Sequence, residues 1–150
     1  MTVPDLDDPA LVRAGLNDFE AMCIQCHTRP GGTPSAVADG LNPPPPDLAE
    51  SAEHMTAAEL FWVTKNGIKM TGMPAWGASH EDEQLWPVVA FLLALPEVNA
   101  AGYADLREAA RGQGGHHDDD TASTEVEITD ADTDIEKDEI EDHDHGDHEH

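Results

Sequence analysis

Cys23-Ile24-Gln25-Cys26-His27 is the stretch that leaves this chain the fewest choices. Its cysteines are the only two in the sequence, three residues apart, and a histidine directly follows the second. C-x-x-C-H is the spacing at which a chain takes up haem covalently. Each thiol adds across one vinyl group on a porphyrin edge, and the histidine then lies beneath the ring as a proximal iron ligand. Cys23 and Cys26 are therefore the expected haem thioethers and His27 an expected axial ligand. Other uses of paired cysteines fit less well. A thioredoxin-like dithiol opens a helix after a strand, whereas this pair closes a helical stretch that no strand precedes. A structural zinc needs four ligands, and residues 1–115 add only His54 and His80, singly and far off. A disulfide across so short a loop stabilises little.

Composition divides the chain in two. Residues 116–150 hold 16 of the 32 acidic residues, one of the seven basic residues, six of the nine histidines and no aromatic residue. Such a segment cannot bury enough surface to offset the entropy of ordering it. All the Trp, Tyr and Phe residues fall before it, so a domain over 1–111 is expected, followed by a flexible linker and acidic, disordered tail over 112–150. Residues 1–115 carry 16 acidic against six basic residues, which excludes nucleic-acid binding by phosphate neutralisation. The longest apolar run, Val88 to Leu95, is eight residues between two prolines and cannot span a bilayer, so no transmembrane segment is expected.

Along the domain, Asp8-Pro9 is an N-cap with proline at the first helical position. Leu11, Val12, Gly15, Leu16, Phe19 and Met22 then recur at the spacing of one helical face. After His27 the chain turns irregular, through Pro30, Pro34 and the run Pro43 to Pro46. This predicts a stiff loop with carbonyls to spare, one of which accepts from the His27 Nδ1–H. Thr56-Ala57-Ala58-Glu59 is a capping box, and Asn66-Gly67 ends the helix that it opens. Another helix is expected from the cap at Ser79–Asp82 to Leu95, with Pro87 late in its first turn or kinking it. A weaker helix is expected over Ala100–Arg111.

A second axial ligand is sought in the loop Ile68-Lys69-Met70-Thr71-Gly72-Met73-Pro74. Thioether sulfur is a soft donor that favours reduced iron and raises its potential. Both Met70 and Met73 are available, and Pro74 stiffens the backbone beside Met73. Lys65 and Lys69 flank the loop and are expected to make a small positive spot in an acidic surface.

Taken together, Cys23-x-x-Cys26-His27 after an amphipathic helix, Asn66-Gly67, Gly72-Met73-Pro74 and an aromatic C-terminal helix resemble a class I monohaem cytochrome c over roughly residues 8–96. The resemblance implies an all-α fold of three to five short helices around one covalent haem c. It implies Met73 as the distal ligand, and the first and last helices crossing at Gly15 and Phe19 against Trp86 or Phe91. The function it implies is one-electron transfer between redox proteins by a monomer that is not an enzyme. Covalent haem further implies a periplasmic or otherwise extracytoplasmic location, with a signal peptide absent from this chain. Two alternatives belong to other classes. One is a haem enzyme or gas sensor with the sixth position open. The other is a metal-handling protein whose tail histidines, His143, His145, His148 and His150, bind Cu, Zn or Ni beside Asp and Glu.

Overall fold

The computed structural model describes residues 3–112, and these form six α-helices and two short 3-10 turns with no strand among the described residues. The helices are α1 (Pro9–Met22), α2 (Ala36–Asp39), α3 (Leu48–His54), α4 (Ala57–Asn66), α5 (Asp82–Ala94) and α6 (Ala100–Ala110). The architecture is all-α, as expected, with one helix beyond the three to five anticipated. The surplus comes from α2 and α3, both inside or just after the segment expected to be irregular.

Local signals set most boundaries. The Asp8 carboxylate accepts from Ala10 N at 2.8 Å and starts α1 with Pro9 at its first position. At α4, Glu59 N donates to Thr56 Oγ1 while the Glu59 carboxylate receives Thr56 N at 2.8 Å, a reciprocal cap. Gly67 ends α4 with φ of 63°, the left-handed region that glycine enters freely. Asp47 caps α3 by accepting from Ala49 N and Glu50 N; Asp47-Leu48 directly after the prolines is the signal that could have revealed this helix. Pro87 lies inside α5, past its first turn, because the helix begins five residues earlier at Asp82.

The core is the crossing of α1 and α5. A Cβ on Gly15 would stand 1.8 Å from the Pro87 carbonyl oxygen and 2.9 Å from Phe91 Cβ, so the two backbones meet where a side chain is missing. One turn on, the Phe19 and Phe91 rings pack with centroids 5.1 Å apart. Phe91, not Trp86, is thus the aromatic partner at this crossing. Trp86 instead stacks on Phe61 of α4 at 4.2 Å, joining the second helix pair. Leu16, Leu85, Val88 and Val89 are fully buried between these elements. Helix α6 docks on the flank of α1, where Tyr103 Oη and Arg107 Nε both donate to the Glu20 carboxylate at 3.0 and 2.9 Å.

Gly15→Ala should cost about 1–3 kcal/mol, because relieving the overlap means separating two packed backbones. Gly102 of α6 is the contrast: a Cβ there meets nothing closer than 3.7 Å. Gly102→Ala should stabilise by roughly 0.4–1 kcal/mol through the unfolded chain. Urea denaturation of both variants checks the pair, and equal effects would contradict the crossing described.

Candidate functional site

The end of α1 presents the motif. Cys23 N donates to Phe19 O at 2.8 Å, closing the helix, and a further turn follows in which Cys26 N and His27 N donate to Cys23 O at 3.0 and 2.8 Å. Residues at i, i+3 and i+4 of a helical turn share one face. Cys23, Cys26 and His27 accordingly line one cavity of about 260 Å³, together with Met22. Both thiols are free. The opposite boundary is the loop after α4, from which Ile68, Thr71, Gly72, Met73, Pro74 and Trp76 line the same space. Helices α3 and α4 contribute Leu48, Ser51, Leu60, Val63 and Thr64, the turn between them Met55, and α5 Val88 and Leu92. Leu41 and Pro43 to Pro46 complete it. No Lys, Arg, Asp or Glu is in this lining.

His27 is buried, and its Nδ1 lies 3.1 Å from the Pro46 carbonyl oxygen. A carbonyl only accepts, so Nδ1 carries the proton and Nε2 keeps its lone pair. This identifies the carbonyl that the sequence could not single out. Burial holds the His27 pKa below its ordinary value, and the bond to Pro46 opposes that only in part. The neutral imidazole is the form that can ligate iron.

The loop holding Met73 is tied by short-range bonds. Thr71 Oγ1 donates to Ile68 O at 2.7 Å and accepts from Met73 N at 3.2 Å, while Ile68 N reaches Met73 O at 3.4 Å. Gly67 lets the chain fold back, for a Cβ there would stand 2.7 Å from the Met73 and Pro74 carbonyl oxygens. Gly72 likewise lies against Leu41, joining this loop to the proline segment. Met70 has a different place: its backbone is left-handed, with φ of 65°, and its residue is 97% exposed and outside the lining.

The remaining sequence candidates lie elsewhere. His54 is exposed at the end of α3, and the His80 ring packs edge-on against Trp76 with Nδ1 3.1 Å from Trp76 O. The expected positive spot of Lys65 and Lys69 is weakened at its first member. Lys65 Nζ bridges Asp82 at 2.5 Å and lies over the Phe61 ring, so its charge is compensated, while Lys69 is exposed. His143, His145, His148 and His150 lie outside the described residues.

Two free thiols, an imidazole with its tautomer set and a thioether border an apolar cavity without charged residues. Among the described residues no group of three or more His, Cys, Asp or Glu could hold a bare metal ion. The lining therefore fits a flat apolar macrocycle whose metal takes N and S ligands, not a hydrated cation. Fold and cavity define a c-type cytochrome domain. Residues 10–92, more than half of the chain, match the family described as Cytochrome C oxidase, cbb3-type, subunit III, and the chain belongs to that family. The matched span takes in α1 to α4 and nearly all of α5, and leaves α6 outside. No curated protein and no solved structure matches the chain.

Cys23 carries a pH signature. Burial first, then the negative charges of Asp18 and Cys26, push the Cys23 thiol from 9.0 up to about 12. A raised acid pKa means that the neutral thiol supports the fold fully below about 9, and the support fades as pH rises toward 12. The buried Tyr103 phenol, raised by burial and by Glu20, acts in the same direction. The haem-free chain should therefore lose stability to urea on alkaline titration, and Cys23→Ala should remove part of that loss. An unchanged alkaline profile in that variant would contradict it.

Proposed function

We propose that the chain is a one-electron carrier in which Cys23 and Cys26 hold one haem c as thioethers and His27 and Met73 are its axial ligands. One observation carries this reading: His27 and Met73 border the same apolar cavity as the two free thiols, while Met70 is turned out to solvent. When bound there, haem supplies the one-electron iron couple. The chain's own residues do the rest. Pro46 accepts from His27 Nδ1, which fixes the ring and makes Nε2 the better donor. Met73 offers a soft sulfur from a loop whose shape is held by Thr71, Gly67 and Leu41. The apolar wall of Leu60, Val88 and Leu92 keeps water away, so little solvent must reorient as charge changes. With both axial positions taken by protein side chains, no site is left for a substrate.

Family membership also supports an extracytoplasmic place and redox proteins as partners. Among the described residues no helix is long and apolar enough to cross a membrane. A docking rim of exposed prolines and Ile68 beside Lys69 suits a weak, rapidly exchanging contact.

The pyridine haemochrome spectrum of the natively matured protein should report two saturated vinyl groups, and acid-acetone should fail to extract the haem. Cys23→Ala/Cys26→Ala should release it. Met73→Ala should lower the midpoint potential and open the iron to added imidazole, whereas Met70→Ala should change neither. The reverse ranking would make Met70 the ligand and refute the proposed set.

A further inference from the structure

The segment that carries Met73 leaves α4 at Gly67 and rejoins the helical frame where α5 begins at Asp82. Bonds within it, at Thr71 and Ile68, hold its shape. How it sits against the rest of the cavity depends on how its two ends are held together, and Lys65 stands at this base. Its Nζ donates to the Asp82 carboxylate at 2.5 Å, tying the last turn of α4 to the first turn of α5. Each charge sits at the helix end whose dipole favours it, the cation at a C-terminus and the carboxylate at an N-terminus. The same ammonium lies 5.9 Å from the centre of the Phe61 ring, which is itself stacked on Trp86 of α5. The 3-10 turn Trp76–Ala78 rests on the lysine stem. A Cβ on Gly77 would stand 2.6 Å from Lys65 Cγ and 3.0 Å from the Lys65 carbonyl oxygen. One residue of α4 thus meets both the returning loop and α5.

We infer that Lys65 is a positioning residue for the sixth ligand: its clasp on Asp82 closes the base of the Met73 loop and resists movement of that loop away from the cavity. This rests on the His27 and Met73 reading above. A thioether is a neutral donor, so no charge attraction holds it at the iron, and the loop's own preference decides how often it lets go. Opening the loop from its α5 side parts Gly77 from the Lys65 stem and draws Asp82 away from the ammonium. The clasp therefore favours the closed form over the open one. Both partners are partly exposed, at 37% and 22%, so water and salt screen the pair and its effect is modest.

The test is imidazole binding to the full-length, haem-bearing ferric protein, followed together with the far-red sulfur-to-iron absorption band that reports a bound thioether. Lys65→Met keeps the stem and removes the charge, and Asp82→Asn removes the partner. Each should tighten apparent imidazole binding at low salt by roughly two- to fivefold, the range of a partly exposed ion pair. The double variant should do no more than either single change, and Lys65→Arg, which keeps the charge, should bind as wild type does. Raising the salt should bring wild type toward the variants and leave the variants where they are. Folded variants with an intact band and wild-type imidazole binding overturn the inference and leave the ligand set standing. Additive effects, or a difference that persists at high salt, also overturn it. A wild-type protein without the band, or Met73→Ala with wild-type imidazole binding, overturns the Met73 reading and the clasp with it.

Discussion

The close approach of α1 and α5 at Gly15 is the contact on which the rest of the structure depends. It brings the Pro87 carbonyl into the space where a side chain would sit, and it sets the phase of both helices. With that phase given, Phe19 meets Phe91, and Met22 and Cys23 emerge on the side of α1 that faces the cavity. The same rotation turns Val88 and Leu92 of α5 into that cavity. Any separation of the two backbones would move the motif and the opposite wall together. The pairing of α6 with Glu20 supports the same end of α1 from outside the matched span.

The two halves of the cavity are built by different means. The motif side is a helix end, regular and hydrogen-bonded along the chain. The other side is irregular backbone, and it is held by prolines, by two glycines in close contact and by a hydroxyl that bridges its own loop. Irregular backbone of this kind can present a carbonyl such as Pro46 O toward the interior, which a helix could not do mid-length. A domain of this size with so long an irregular segment has a small core of its own. The cavity lining is that core's missing part, and a bound macrocycle would complete it.

Electrostatics follow the same division. The domain is acidic overall, yet its cavity lining has no Lys, Arg, Asp or Glu, and Lys65, at the end of α4, is tied to Asp82.

Much of this was legible from the residues themselves. C-x-x-C-H carries its chemistry in its spacing, and the caps at Asp8, Thr56 and Gly67 are local signals that need no partner. Periodicity and caps mark individual helices, while the resemblance implied the all-α class and ranked Met73 above Met70 through Gly72-Met73-Pro74. Helix α3 was missed because the prolines before it outweighed its Asp47 cap. Other features were decided only when distant segments met. Which carbonyl receives His27 depends on how the proline run returns to the motif. Phe91 and not Trp86 lies at the crossing because helix phase, not residue type, selects the partner. The pairing of Lys65 with Asp82 joins α4 to α5 through residues 17 apart in the chain. The burial of Asp18, which is 1% exposed, is the clearest case, since aspartate by type belongs at the surface. Only the packing of helices against α1 removes it from water, because burial belongs to the assembled fold and not to the chain that enters it.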